Sequence, residues 1–212
     1  GLLLRPVYEP VQKAGRNGSS PYIGILWARY ISRPIDSSSM KTLTEIYRTE
    51  GLDVSGKAVH RTAVRAVILR GLKLFMVYSA NVGDYKFPGG GVDAGETHEH
   101  ALARELLEEC GATLLRVDDG LGTIIEYDVA KEPEYDLFKM SSYYYFCQIG
   151  DAFGAQNLDD YEHDLGFQPV WIDIKDAIEK NRLLLDAKNP PQWLKREIFA
   201  LEYLQKSTEK AA

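Results

Sequence analysis

The sequence predicts a single α/β domain. Between Met40 and Gln205, short runs rich in β-branched and aromatic residues alternate with segments of helical periodicity. The middle of the chain holds a segment with a start and a stop signal for a helix. With 45% of its 212 residues hydrophobic, the chain can bury a sizeable core.

The elements follow in order. Thr62–Leu69 (TAVRAVIL) and Leu72–Ser79 (LKLFMVYS) read as a hairpin turning at Arg70-Gly71 and leading to Tyr85. Thr97 is an N-cap after the Gly95-Glu96 turn, Glu99 adds favourable first-turn charge, and Gly111 is a C′ stop, which predicts a helix from His98 to Cys110. Thr113–Val117, Gly122–Val129 and Phe138–Ile149 are further strands. Phe167–Ile174 is a last strand, which Pro169 confines to an edge or a bulge. Asp176–Leu185 reads as helical. Pro190 and Pro191 open a final helix, Gln192–Gln205, with Trp193, Ile198, Leu201 and Leu204 at apolar positions.

The helix at His98–Cys110 carries the chemistry. At about 100° per residue, Glu105, Glu108 and Glu109 share an arc of roughly 100°, while Leu102, Leu106, Cys110, Ala103 and Leu107 fill a separate arc of roughly 140°. Like charges at these spacings destabilise a helix by roughly 0.2–0.5 kcal/mol per pair, so three together point to a cation between them. A solvated acidic face is the plainer reading of an isolated E-x-x-E-E. The glycine turn before the helix and Arg104 beside the glutamates favour the cation. Hard oxygen ligands suit Mg²⁺ or Mn²⁺. Immediately upstream, Tyr85-Lys86-Phe87-Pro88-Gly89-Gly90-Gly91 runs a strand end into a glycine corner, where no side chain blocks the approach of a phosphate.

Residues Gly90–Ala112 as a whole read G-x5-E-x7-R-E-U-x-E-E-x-G-U, with U an aliphatic residue. This resembles the Nudix box, the signature of enzymes that hydrolyse a nucleoside diphosphate linked to another moiety. The resemblance implies a mixed β-sheet sandwiched between α-helices over about Thr62–Ile174. It implies metal ligands at Glu105, Glu108 and Glu109 and at the carbonyl of Gly89. It also implies that Arg104 and Glu96 steady the loop against the helix. Catalytic roles then fall on Glu105 and Glu108, nearest the reacting phosphorus, with Arg104 orienting its acidic neighbours. The general base varies in this family. Here the acidic stretch Asn157–Asp164 offers Glu162, ahead of Asp164, although that stretch reads equally well as a solvated loop. His98, His100 and His163 earn no role.

Substrate contacts are read from position. Gly90 opens the backbone to a phosphate. Lys86, beside the corner, is a phosphate partner or a solvated strand end, and Arg65 faces the ligand or closes an ion pair. Tyr85 offers a stacking surface for a base, as do Tyr78, Tyr127 and Tyr143-Tyr144-Tyr145, of which at most two can face one site. The implied activity is a metal-dependent pyrophosphohydrolase acting on a small nucleotide, an ADP-sugar or an oxidised nucleoside triphosphate. The alternative is a non-catalytic module of the same family that senses a nucleotide and regulates a partner. In either case a monomer or a homodimer is expected.

Composition excludes other classes. A net charge of −6 argues against broad binding to nucleic acid. No apolar run reaches the ~18 residues of a membrane span. Two cysteines, Cys110 and Cys147, read as buried thiols in a reducing, cytoplasmic setting. Residues 1–39 carry five basic residues against two acids and stand apart as an extension, either an upstream segment with the natural start at Met40 or a docking arm using Trp27. The working domain is expected over 40–206, with a tail at 207–212.

Overall fold

The computed structural model describes residues 37–209. The extension's aromatic segment around Trp27 lies outside the described residues. A 3₁₀ turn at Ser37–Ser39 leads into eight strands and four helices. The strands are β1 (Thr42–Tyr47), β2 (Ala58–Val67), β3 (Leu69–Arg70), β4 (Lys73–Ser79), β5 (Asp84–Lys86), β6 (Ala112–Val129), β7 (Leu137–Phe153) and β8 (Phe167–Asp173). The helices are α1 (His98–Cys110), α2 (Asp160–Leu165), α3 (Ile174–Leu185) and α4 (Leu194–Glu209).

Two four-stranded sheets organise the molecule. The first is mixed, in the order β1-β6-β7-β2: β6 and β7 form a long antiparallel pair, with β1 parallel to β6 and β2 parallel to β7. The second runs β3-β4-β5, with β8 antiparallel to β4 on its other side. Pro169 lies on β8 opposite Val77, and β8 pairs with β4 alone, the edge position a proline requires.

Alternation along the strands builds a layered core. Val64 and Ala66 of β2, Phe75 and Val77 of β4, and Tyr145 and Cys147 of β7 pack with Ala101, Leu102, Leu106 and Cys110 of α1. Their neighbours Val67, Leu74, Met76 and Tyr144 point to a second cluster with Ala177 and Ile178 of α3 and Ala200, Leu201 and Leu204 of α4. Successive residues thus serve opposite faces, as strand geometry demands, and helices cover both. Truncating a fully buried leucine such as Leu102 or Leu201 to alanine costs about 2–5 kcal/mol. Both cysteines are buried free thiols.

Several boundaries differ from the sequence reading. The strand expected at Thr62–Leu69 divides at Ile68: β2 joins the first sheet, and only Leu69-Arg70 turn back on Lys73-Leu74. Thr113–Val117 and Gly122–Val129 are one strand, because β7 pairs along both and register shifts between Ala112 and Gly122 absorb the polar interruption. In α1, Leu107 is exposed and Ala101 is buried, so the packing face is shifted from the one expected. The last helix starts at Leu194, leaving Trp193 before it, and continues to Glu209.

Candidate active site

α1 begins and ends as its caps dictate. Thr97 Oγ1 accepts the His100 N–H at 3.2 Å, and Gly111, at φ 62°, donates its N–H to Leu107 O. The helix presents Glu105 and Glu109 to the glycine corner, where both are buried. The Gly89 N–H donates to Glu109 Oε2 at 2.7 Å. Gly89 is required here, and Gly90 leaves room for a carboxylate. Gly89 sits at φ 131°, where a Cβ would strike the Val64 carbonyl, and a Cβ on Gly90 would strike the Glu105 carboxylate.

Arg104 ties the corner to the helix. It grips Glu96 through two hydrogen bonds of 3.0 Å, reaches Gly91 O at 2.8 Å, and pairs with Glu105 at 2.7 Å and Glu108 at 3.2 Å. The Arg104 hydrogen bond, seconded by the Asp93 N–H, holds the Glu96 carboxyl down at about 2. Glu108 is the most open of the three helix glutamates, its side chain 35% exposed where it pairs with Arg104.

The acidic stretch after β7 is structured. Asp159 and Glu162 form a reciprocal capping box that starts α2. Just before it, Asn157 N–H donates to Glu108 O and Gln156 Nε2 donates to Glu109 O, satisfying carbonyls that the end of α1 leaves open. So anchored, Glu162 stands with Glu105 and Glu109, each offering a carboxylate oxygen within 4.8 Å of the others. Burial raises the pKa of all three, with Arg104 opposing it at Glu105 and the Gly89 N–H at Glu109. Crowded carboxylates that burial pushes toward protonation are a donor set suited to a hard divalent cation.

The remaining predicted residues are deployed differently. Arg65 Nη1 donates to the Gly89 carbonyl, the atom expected to face a metal, and its Nε is buried without a partner. Lys86 Nζ lies over the rings of Phe167 at 3.7 Å and Trp193 at 4.8 Å, so it is no solvated strand end, and burial lowers its pKa. Tyr85 is clamped through its backbone by Asn181 and packs its ring on Tyr78. Tyr143 and Tyr145 share one face, where both meet His98, while Tyr144 points into the opposite core. Tyr127 stacks on Tyr47.

The aromatic group beside the acidic cluster is one the sequence reading passed over. Tyr161, 53% exposed and adjacent to Glu162, stands edge-on to Trp193, whose Nε1 donates to Asp84. The spacing Asp159-x-x-Glu162 is itself a capping-box signal that would have found α2. Glu197, which accepts the Phe87 N–H at 3.0 Å, left no local signal at all.

Residues 59–195 match the family model described as the NUDIX domain. An RNA pyrophosphohydrolase of Helicobacter pylori is 31% identical over 102 residues, covering 46% of this chain and 64% of that protein. An 8-oxo-dGTP diphosphatase of Haemophilus influenzae is 37% identical over 78 residues, covering 36% and 52%. The chain thus spans less than two thirds of the length of these curated relatives. A NUDIX hydrolase structure from Nitrosomonas europaea superposes with a TM-score of 0.49 at 20% identity, covering 71% of this chain and 91% of that one. Among the described residues, no helix is long and apolar enough to cross a membrane.

Proposed function

The chain belongs to the NUDIX domain family, and on that premise we propose that it is a metal-dependent pyrophosphohydrolase that cleaves the phosphate chain of a nucleoside diphosphate derivative. The observation that carries this reading is the meeting of Glu105, Glu109 and Glu162 beside the Gly89–Gly91 corner. Mg²⁺ or Mn²⁺ would be held by Glu105 and Glu109, with Glu108 at the open side and Glu162 beside them. The ion would relieve charge on phosphoryl oxygens and acidify a bound water.

The chain's own groups have distinct tasks in this reaction. Arg104 fixes the glutamates and the Gly91 carbonyl against one another, so that the carboxylates need not reorganise during the reaction. The corner's bare glycines let phosphate oxygens reach the backbone. Glu162, whose pKa burial raises, takes the proton of the attacking water. Lys86, partly buried beside the corner, supplies positive charge to the phosphates. The relatives' names point to two substrates, RNA and 8-oxo-dGTP. The acidic chain, at net −6, favours the small nucleotide: an oxidised nucleoside triphosphate or an ADP-sugar.

Phosphate release from a panel of nucleoside di- and triphosphate derivatives and a 5′-triphosphorylated RNA, with Mg²⁺ and in ¹⁸O-water, tests the proposal. Label should enter a phosphorus of the cleaved anhydride. Glu108→Gln should reduce turnover by on the order of 10²-fold, as loss of an electrostatic contact to the transition state does. Hydrolysis confined to simple monophosphate esters, or full activity of that variant in chelator, would overturn it.

A further inference from the structure

The glycine corner is held from behind by a line of charges running to the protein surface. The Phe87 N–H, two residues before Gly89, donates to Glu197 Oε2 at 3.0 Å. The other oxygen of Glu197 accepts from Arg196 Nε at 3.1 Å and Nη2 at 2.8 Å. Arg196 Nη1 reaches Glu126 Oε2 at 2.7 Å, and Glu126 Oε1 accepts from Arg48 Nη2 at 2.8 Å. Glu197, Arg196 and Glu126 are 0%, 3% and 1% exposed, and the Arg48 side chain, at 16%, is the one that meets solvent.

This arrangement has no simple stability rationale. Buried ion pairs are often matched or bettered by well-packed apolar residues of similar volume, because removing charges from water costs more than their attraction returns. What the line adds is direction. An apolar core cannot accept the Phe87 N–H, and Pro88 has no N–H of its own to anchor the turn. The corner's other groups are also engaged: Gly89 N–H by Glu109, Gly89 O by Arg65 and Pro88 O by Ala66 N–H. Glu197 completes this set from the helix-α4 side. The family match covers 59–195, so Arg48, Arg196 and Glu197 all fall outside it.

We propose that Glu197 is a positioning residue for the glycine corner, oriented through Arg196 and Glu126 from Arg48, and that this line sets the affinity and geometry of the metal and phosphate site. The inference rests on the reading of the corner given above, and its test separates the two. Three variants are compared with wild type. Glu197→Gln neutralises the inner end of the line. Arg48→Met loosens the partly exposed outer end, where Arg196 still pairs with Glu126 and the disturbance to folding should be smaller. Leu201→Ala, in the core beneath the same helix, is a control for destabilisation alone.

Mn²⁺ is titrated by calorimetry, and amide hydrogen exchange is followed at Phe87 and Gly89. Glu197→Gln should weaken Mn²⁺ binding about 10- to 100-fold, as loss of an outer-shell partner does, and speed exchange at both amides. Arg48→Met should move both readouts the same way by less. Leu201→Ala should lower Tm with Mn²⁺ affinity unchanged. If Glu197→Gln and Leu201→Ala lower Tm alike and neither alters Mn²⁺ affinity or corner exchange, the line is structural and the proposal fails. Should Glu197→Gln not fold, wild-type values of both readouts in Arg48→Met overturn it equally. A wild-type protein that binds no Mn²⁺ counts against the metal-site reading, and corner exchange then decides the positioning role by itself.

Discussion

Replacing Glu109 with glutamine should make the metal-free protein more stable and the metal-bound protein less so. Glu109 and Glu105 are buried, with carboxylate oxygens within 4.8 Å. At an effective dielectric of about 20, two full charges at that separation repel by about 3.5 kcal/mol. Arg104 offsets part of this at Glu105, and burial keeps Glu109 partly protonated, which together leave about 1–2 kcal/mol of strain to be relieved. Glutamine retains a carbonyl oxygen for the Gly89 N–H, so the 2.7 Å bond need not be lost. For a domain of this size the gain corresponds to a Tm rise of about 2–8 °C in chelator.

Metal should reverse the order. An ion present at a hundred times its Kd stabilises the folded state by about 2.7 kcal/mol, and a 100-fold loss of affinity reduces this to about 0.4 kcal/mol. Thermal melts of both proteins in chelator and in Mg²⁺ would show the crossing directly. A variant that melts lower than wild type in chelator, yet gains as much from Mg²⁺, would refute both the strained cluster and its role as the ion's seat.

Two further outcomes are expected. If Tyr161 and Trp193 form the surface on which the base stacks, Tyr161→Ala should raise KM for nucleoside substrates by about 5- to 150-fold and leave a non-nucleoside diphosphate unaffected; equal losses on both would dismiss it. Burial lowers the pKa of His98 below its ordinary 6.5, so the unfolded chain binds more protons, and stability present above about pH 6.5 is lost as pH falls through the folded value. Urea midpoints measured across that range should slope in wild type and flatten in His98→Gln, and identical slopes would place the effect elsewhere.

What the sequence made legible is what local chemistry decides. α1 was readable to the residue because both ends carry cap residues and its apolar stripe has helical period. The strands were located but not joined correctly. β6 crosses Asp118-Asp119-Gly120, which reads locally as a turn, because pairing to β7 holds it extended through bulges. The division of β2 from β3 at Ile68 depends on which sheet each half joins, and no local pattern records that. Glu197 lies 110 residues from Phe87, inside a helix read only for its apolar positions. Arg65, read as facing the ligand or closing an ion pair, and Lys86, read as a phosphate partner or a solvated strand end, meet instead a backbone carbonyl and two aromatic rings that neither local pattern records.

The three glutamates of α1 show how far a helical wheel reaches. Leu102, Leu106 and Cys110 centre the buried face at about 100° from Glu105 around the axis, which puts Glu109 about 60° from that centre, Glu105 about 100° and Glu108 about 160°. Burial follows that ranking: Glu109 is 5% exposed and Glu105 7%, whereas the Glu108 side chain is 35% exposed. Angle alone does not finish the account. Leu107 lies about 100° from the same centre on the opposite side and is 53% exposed, against 7% for Glu105. The difference is tertiary, because the glycine corner and α2 close over the Glu105 side and, among the described residues, nothing comparable covers Leu107. The helix therefore orders its carboxylates by depth, and elements distant in sequence select which flank becomes a site. A lone E-x-x-E-E, without the corner and the capped α2, would carry the same wheel and hold its charges in water.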